Sequence, residues 1–232
     1  MAPAARAGGA ILDVVEATVD PDFLARHTTE VGLADGTRLR IRPIVPEDKP
    51  LLRDGLERLS PRSRFMRFLQ PVDRLTEDQL AYLTELDYDD HFAWGAIALD
   101  VPGEPGVGVA RYVRDPGDRT VAEAAVVVVD DYQGRGVGTV LLEVLAESAL
   151  QHGIDRFRAY VATSNDTVVD ALRMLGARIR GEDGDLVADL PLPLPAGTTR
   201  DTALYGALRA VARGEAQARP LRWWRFGEPR RG

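Results

Sequence analysis

Residues 122–145, AEAAVVVVDDYQGRGVGTVLLEVL, decide the fold. They join an apolar run at 126–129 to a glycine-rich loop, and then to four apolar residues at helical spacing: Val140, Leu141, Val144 and Leu145. Apolar residues at i, i+3, i+4 and i+7 predict an amphipathic helix, whereas a short unbroken run of β-branched residues predicts a buried strand. The stretch therefore predicts a strand, a loop and a helix in direct succession.

The loop carries glycines at every second position, which lets consecutive backbone N–H groups turn toward one point just before a helix. We expect residues 133–139 to bind a phosphate. The loop of nucleotide kinases requires a lysine after its last glycine, but Thr139 follows Gly138. A dinucleotide fingerprint requires two residues between its second and third glycines, and here only Val137 intervenes. A tight turn without a ligand remains an alternative.

Outside this stretch the sequence predicts further strands and helices. A hairpin turns at Asp35-Gly36, and helices follow Pro46, Ser60 and Thr76. An antiparallel meander then leads into the loop, and a strand from Arg156, a helix led by Asn165 and a hairpin ending at Leu190 come after it. We expect a flexible arm at 1–27, one domain at 28–190, and a C-terminal extension at 191–232 with a short helix and an Arg/Trp-rich tail.

Composition excludes several classes of protein. The formal net charge of −7 over 232 residues argues against a general nucleic-acid binder. The absence of cysteine removes disulfides, thiolate metal sites and a cysteine acyl-enzyme, and three scattered histidines predict no metal site. No apolar run is long enough to span a membrane, so we expect no membrane partner and a cytoplasmic location.

The string QGRGVG at 133–138 fits the pattern Gln/Arg-x-x-Gly-x-Gly, and the chain resembles the GNAT acyltransferase superfamily in motif and element order. SPRSRFMRF at 60–68 and GVARYVRD at 108–115 are similar, more narrowly, to the acyltransferase domain of Pat-type bacterial protein-lysine acetyltransferases. This resemblance implies an α+β fold whose mixed, mostly antiparallel sheet is flanked by helices. It also implies direct transfer of an acetyl or similar short acyl group from acetyl-CoA to a primary amine such as a protein lysine.

The resemblance implies roles for particular residues. The strand before the loop would splay from its neighbour and offer a backbone N–H to the thioester carbonyl at Val127, Val128 or Val129. The pyrophosphate would bind to Gln133, Gly134, Arg135, Gly136, Val137, Gly138 and Thr139. Asn165 would hold the cofactor amide, or would only cap its helix, and these two roles are compatible.

Glu123 is the candidate general base, because an amine with a pKa near 10 must lose a proton before it attacks. Strand alternation places Glu123 on the same face as Ala125 and Val127, and it matches the glutamate credited with this role in Pat-type relatives. A solvent-facing strand glutamate is the alternative. Many relatives have a tyrosine that acts as the general acid seven residues after the asparagine that leads the helix. Counted from Asn165, this chain has Leu172 there.

Two other functions stay open from the sequence. The missing tyrosine is compatible with a non-catalytic acyl-CoA sensor or regulatory module. The glycine loop is also compatible with a nucleotide-binding protein. The acceptor is expected to contact the helices at 50–86 and the loops near 89–92, where the sequence carries no specific signal.

Overall fold

The computed structural model describes residues 19–182, 184–195, 208 and 210–214. Within them, eight strands form one sheet: β1 (Thr29–Gly32), β2 (Arg38–Pro43), β3 (His91–Ala98), β4 (Gly106–Arg114), β5 (Val121–Val128), β6 (Arg156–Val161), β7 (Arg178–Glu182) and β8 (Asp185–Pro191). The helices are α1 (Pro21–Arg26), α2 (Lys49–Glu57), α3 (Pro61–Phe68), α4 (Glu77–Thr84), α5 (Val137–Gln151) and α6 (Asp166–Met174).

The strand order is β1-β2-β3-β4-β5-β6-β8-β7. All neighbours are antiparallel except β5 and β6, which run parallel because α5 crosses over between them. The predicted α+β fold with a mixed, mostly antiparallel sheet is confirmed. The predicted meander is β3 to β5, and the predicted hairpins are β1–β2 and β7–β8.

Helix starts follow the capping signals in the sequence. Ser60 accepts a hydrogen bond from the Ser63 N–H, and Pro61 occupies the first turn of α3. Thr76 and Gln79 form a capping box at the start of α4. These local bonds satisfy amides that a helix cannot pair internally, and they fix where the two helices begin.

The sheet has two differently covered faces. On one face α5 packs on β3 and β4, and the buried Trp94 donates its Nε1–H to Ser148 Oγ at 3.0 Å. We call this the α5 face. On the other face α2 packs on β4 and α3 on β5, with α4 beside α2. We call this the helical-cover face.

Segments flanking residues 28–190 also contribute to the core. Phe23 of α1 packs against it, and Leu208 and Val211 are buried in it. Arg213 forms an ion pair with Glu147 of α5 at 2.7 Å. Residues 1–18 of the predicted arm and the Arg/Trp-rich tail at 217–232 lie outside the described residues, so the division into arm, domain and extension stays a prediction.

Two ion pairs fix α2 to its surroundings. Arg42 of β2 contacts the almost fully buried carboxylate of Asp48 at 2.6 Å, and Asp48 also accepts from the Val45 N–H. Lys49, at the start of α2, contacts Glu85 at 2.7 Å. No helix in the described part of the chain has the length and apolar character that crossing a membrane requires.

Candidate active site

The parallel strands β5 and β6 separate soon after they meet. They pair only at Val121 with Arg156, Ala122 with Phe157 and Glu123 with Arg158. Beyond Glu123, β5 continues beside β4 to Val128, while β6 continues beside β8. A gap therefore opens in the sheet between the later residues of these two strands. We call it the strand gap.

Hydrogen bonds at both ends of the β4–β5 ladder show which amides face the strand gap. The Asp115 N–H donates to the Val121 carbonyl at 2.9 Å, and the Val129 N–H donates to the Val107 carbonyl at 3.0 Å. In an antiparallel pair every second residue bonds to the same neighbour. Val127 and Val129 thus use their amides within the sheet, whereas Val126 and Val128 turn theirs toward the gap.

This alternation narrows the prediction for residues 127–129. Of the three amides, only that of Val128 points to the side where β6 has moved away. The amide of Val126, which was not predicted from the sequence, also points into the strand gap. The side chain of Gln133 donates from Nε2 to the Val128 carbonyl at 3.0 Å, so the loop is tied to the upper end of the gap.

The glycine loop ends in a helix start without a side-chain cap. Gly134 and Gly136 have φ of +73° and +96°, a region that residues with a Cβ rarely adopt. Gly136 is the N-cap of α5 and offers no side-chain acceptor, and the first helical bond runs from the Val140 N–H to the Gly136 carbonyl at 3.1 Å. The amides of Val137, Gly138 and Thr139 consequently have no acceptor within the helix. Such a helix start is suited to an anion.

Asp130 anchors the loop to α3. Its carboxylate accepts from Ser60 N–H and Ser60 Oγ, both at 2.9 Å, and from Ser63 Oγ at 2.8 Å. Burial acts to raise the pKa of Asp130, but these hydrogen bonds outweigh it and hold the pKa below its ordinary value. Arg135, on the outer side of the loop, lies 3.8 Å from Asp35 and 5.0 Å above the Tyr132 ring.

Glu123 lies at the mouth of the strand gap. It occupies the last residue pair between β5 and β6, beside Val113 of β4 and Arg158 of β6, and it is exposed. Its side chain points to the helical-cover face, as the alternation with Val127 predicted. The structure thus places the candidate base and the gap-facing amides on one strand, β5, which leads into the loop before α5.

Comparison with known proteins identifies this arrangement. Residues 59–177 match the model of the acetyltransferase (GNAT) family. The chain belongs to that family. It is 36% identical over 164 residues to acetyltransferase Pat of Mycolicibacterium smegmatis, which covers 70% of this chain and 48% of the relative. It is also 32% identical over 145 residues to an acetyltransferase of Pseudomonas aeruginosa, covering 62% of this chain and 77% of the relative.

Solved structures agree with this assignment. The crystal structure of the GNAT domain of S. lividans PAT matches with a TM-score of 0.66 and 31% identity, over 72% of this chain and 98% of that one. A cAMP-binding acyltransferase from Mycobacterium smegmatis matches with a TM-score of 0.57 and 32% identity, over 83% and 56%. The chain spans about half the length of the mycobacterial relatives that it matches.

In this GNAT chain the loop and the strand gap touch through Gly138. A Cβ at Gly138 would lie 3.7 Å from Val128 Cγ2 and 4.0 Å from Val126 Cγ1, so the side chains of these two valines are on the α5 face. The side chains of Val127 and Val129 are on the opposite face. A ligand that binds at the start of α5 and extends through the gap would emerge on the helical-cover face, the face that carries Glu123.

Asn165 caps the start of α6, and Leu172 lies within that helix. The Asn165 side chain accepts from the Val168 N–H at 3.4 Å, which confirms the capping role at α6, while its contact with a cofactor stays a prediction. Leu172 is buried in the core. On β6, Tyr160 lies beyond the last pair with β5, is 43% exposed and shares the face of Glu123.

Four further side chains on the helical-cover face were not predicted. The positive charge of Arg67 of α3 contributes to lowering the pKa of Arg111 of β4, and the negative charge of Glu123 favours the charged form of Arg67 and acts to raise its pKa. Arg111 contacts His91 Nε2 at 3.0 Å and donates to the Leu83 carbonyl at 3.0 Å, and Tyr82 packs on His91 at 4.8 Å between ring centroids. They come from four elements, so no local sequence pattern signals them. We call Arg67 and Arg111 the arginine pair.

Proposed function

We propose that this protein transfers an acetyl or similar short acyl group from acyl-CoA to a primary amine, and that the amine is a lysine side chain of another protein. The observation that carries this proposal is the strand gap lying directly beneath an uncapped helix start in a chain of the GNAT family. The lysine acceptor is inferred from the similarity to Pat acetyltransferases.

The donor fits the residues at the start of α5. The free amides of Val137, Gly138 and Thr139, with the positive end of the helix dipole, would hold the pyrophosphate. The positive φ of Gly134 and Gly136 and the missing side chain of Gly138 let the backbone approach the phosphates closely. Because these groups are backbone atoms, their geometry is set before the donor arrives.

The amides of Val126 and Val128 would act on the thioester. A backbone N–H aimed at the thioester oxygen stabilises the negative charge that develops there as the amine attacks. One preorganised donor of this kind typically lowers a barrier by about 3 kcal/mol. The unpaired edge of β5 would also hydrogen-bond the amides of the pantetheine arm, in the way that one strand pairs with another.

Glu123 would remove the proton of the incoming ammonium, directly or through a water molecule. The neutral amine nitrogen then bonds to the carbonyl carbon, the carbon–sulfur bond breaks and CoA leaves as a thiolate, while the nitrogen gives up a second proton to solvent as the amide forms. Since Leu172 is buried and carries no acid, the thiolate would take its proton from solvent. A thiol pKa near 8.5 makes the thiolate a tolerable leaving group without a dedicated acid.

The test is release of the CoA thiol from acetyl-CoA in the presence of lysine-containing proteins. Mass spectrometry of a lysate incubated with labelled acetyl-CoA and this protein would identify the acceptor. Binding of acetyl-CoA without turnover on any acceptor would favour the non-catalytic sensor. A thermal-shift panel in which ATP or NAD stabilises the protein and acetyl-CoA does not would favour a nucleotide-binding protein, since a ligand at 100 times its Kd adds about 2.7 kcal/mol.

The proposed reaction also suggests a location. Acyl-CoA and protein lysines are both available in the cytoplasm, so we place the activity there. Within the described residues no group of three or more His, Asp or Glu side chains is arranged to hold a metal ion, and the proposed steps require none.

A further inference from the structure

A largely apolar cavity of about 90 Å³ lies under the helical cover, against β2 to β5. Its side chains come from α2 to α4 and from the sheet, and include Leu52, Leu56, Phe68, Leu83, Val127 and Val129. One buried water molecule needs roughly 10–15 Å³ of such a cavity. The cavity therefore has room for a chain of several non-hydrogen atoms, whereas the methyl of an acetyl group would leave most of it empty.

The cavity lies where the acyl group would be. Val127 and Val129, which line it, flank the gap-facing amide of Val128. A donor bound at the start of α5 passes through the strand gap from the α5 face, so its acyl group reaches the helical-cover face at these two valines. The acceptor amine approaches from the exposed side, at Glu123. The acyl group and the acceptor thus reach the thioester from different directions.

The arginine pair also lines this cavity. Only 6% of the surface of Arg111 is exposed, and its Nε is buried without a hydrogen-bond partner. Neither Arg67 nor Arg111 forms an ion pair with any carboxylate in the described part of the chain. By contrast Arg42, the third arginine of the cavity, is neutralised by Asp48 at 2.6 Å.

The Arg111 guanidinium is costly to bury because no carboxylate among the described residues pairs with it, and the half-buried Arg67 has only the charge of the exposed Glu123 to offset its own. Burial, and then the positive charge of Arg67, lower the pKa of Arg111 to about 9, so it still carries its charge at neutral pH. Burial likewise lowers the pKa of Arg67, although Glu123 favours its charged form. Guanidinium groups bind carboxylates through paired hydrogen bonds, and a buried cation without an anion is destabilising. The pair is suited to an anion that arrives with a ligand.

We propose that the cavity and the arginine pair form an acyl-binding site for a short acyl group that ends in a carboxylate, of the succinyl class. The apolar walls would surround the methylene groups and the arginine pair would bind the terminal carboxylate. This rests on the proposed function, which it deepens by naming the acyl group.

The chemistry is the transfer already described, with one difference in the product. The amine nitrogen bonds to the thioester carbon, the carbon–sulfur bond breaks, CoA leaves as a thiolate, and the proton of the amine passes through Glu123 to solvent. The new amide carries the free carboxylate, so the modified lysine changes from a cation to an anion.

The first experiment compares three donors on one lysine peptide whose termini are blocked, with CoA release followed and the rate without protein subtracted. The donors are acetyl-CoA, succinyl-CoA and 4-methylpentanoyl-CoA, in which an isopropyl group replaces the carboxylate at the same chain length. We expect kcat/KM for succinyl-CoA to exceed that for 4-methylpentanoyl-CoA at least about tenfold, because only the carboxylate pairs with the arginines. A ratio of one or below would overturn the proposal.

The second experiment removes the arginine that is not tied to the fold. Arg67→Met should lower the succinyl to 4-methylpentanoyl ratio at least about tenfold, as expected for loss of a charged hydrogen-bond partner. Arg62→Met, on the exposed side of the same helix, is the matched control and should keep the wild-type ratio. A thermal melt of both variants checks folding, and binding of each acyl-CoA measured by calorimetry gives a readout independent of turnover. An unchanged ratio in a folded Arg67→Met protein would contradict the proposal.

The third experiment fills the cavity. A Cβ placed on Gly55 of α2, which lines the cavity, meets nothing within 4 Å, so Gly55→Leu introduces a side chain without a backbone clash. We expect succinyl transfer to fall at least about tenfold more than acetyl transfer, since one or two lost methylene positions in a pocket change specificity by roughly that much. Equal losses for both donors would count against the acyl site.

The carboxylate recognised by the pair has a second source, the acceptor. If Arg67→Met lowers kcat/KM for free lysine relative to lysine amide with acetyl-CoA, and leaves the donor ratio unchanged, the carboxylate belongs to an amino-acid acceptor and the acyl proposal is wrong. Failure of all donors, acetyl-CoA included, to release CoA would instead overturn the proposed function itself. The two failures are therefore distinguishable.

Discussion

The two faces of β5 carry two kinds of site. On the α5 face, the anion site consists of backbone amides at Val137, Gly138 and Thr139. On the helical-cover face, the site around Glu123 consists of side chains from α3, α4, β3 and β4. A backbone site requires glycine at fixed spacing and is therefore visible in one short string of sequence. A side-chain site assembled from distant elements leaves no such string.

The largest effect is expected on the helical-cover face, at Glu123. Glu123→Gln is nearly the same size and should keep the fold and the acyl-CoA affinity, while kcat/KM falls about 100-fold to 10,000-fold at neutral pH through loss of proton transfer. The deficit should shrink as pH rises, because the amine then loses its proton unaided. The measurement is a pH profile of kcat/KM on a verified acceptor.

The matched control for Glu123 is Glu182→Gln, another exposed strand glutamate at the far edge of the sheet. It should retain wild-type rates across the same pH range. Wild-type turnover of Glu123→Gln at pH 7 would refute the role of Glu123 as base, and with it the assignment of catalysis to this face.

On the α5 face, two glycines separate binding from folding. Gly138→Leu should raise the KM for acyl-CoA about tenfold or more, equivalent to about 1.4 kcal/mol, because the side chain blocks close approach of the phosphates. Gly136→Ala should lower affinity and also stability, since a φ of +96° is strained for alanine. We expect a Tm decrease of roughly 2–8 °C for Gly136→Ala only.

The prediction for these glycines is sharpened by the structure. The sequence treats Gly136 and Gly138 alike, but only Gly136 has the left-handed conformation, while a Cβ at Gly138 makes ordinary contact with Val128. If Gly138→Leu binds acetyl-CoA as tightly as the wild-type protein, the phosphates lie elsewhere and the α5 face loses its assigned role.

A smaller effect concerns stability on the helical-cover face. Burial, and then the charge of Arg111, lower the pKa of His91 to about 4. The unfolded chain takes up a proton on this histidine near pH 6.5 and the folded protein does not, so stability contributed by His91 is present above 6.5 and lost as pH falls toward 4. His91→Gln should reduce the slope of Tm against pH in that window. An unchanged slope would mean that His91 is not held neutral.

The smallest effect is expected at Tyr160. If the thiolate takes its proton from solvent, Tyr160→Phe should change kcat by less than about threefold, well below the typical contribution of an acid or base. A loss of 100-fold or more with an unchanged KM would instead identify Tyr160 as the acid that Leu172 cannot supply. Single-turnover rates with acetyl-CoA provide the measurement.

Features of the fold that depend on neighbouring residues were predictable from the sequence, and features assembled from distant elements were not. The glycine loop that leads into α5, the hairpins and the caps at Ser60 and Thr76 depend on neighbouring residues, and these elements were predicted correctly, while phosphate binding at 133–139 stays a prediction. The face of Glu123 followed from strand alternation. Which of residues 127–129 offers a free amide depends on the register between β4 and β5, and that register is a long-range property.

The arginine pair could not be predicted from the sequence. Arg67 belongs to a helix whose other arginines face solvent or bond to the backbone, and Arg111 is one of two arginines in GVARYVRD. Alternation along β4 would have put Arg111 on the face of Glu123, but nothing local indicates that α3 brings Arg67 next to it. Packing of α3 on β5 decides that contact.

The ion pair of Lys49 with Glu85 bears on self-modification. Lys49, at the start of α2, is the one lysine in the 232-residue sequence, and its ammonium lies 2.7 Å from the Glu85 carboxylate. An enzyme that acylates lysines is exposed to its own reaction and to spontaneous attack by reactive thioesters at every lysine it displays. This chain uses arginine for nearly all of its positive charge, so it keeps its surface cationic groups. It therefore has almost no lysine of its own on which the proposed reaction could act.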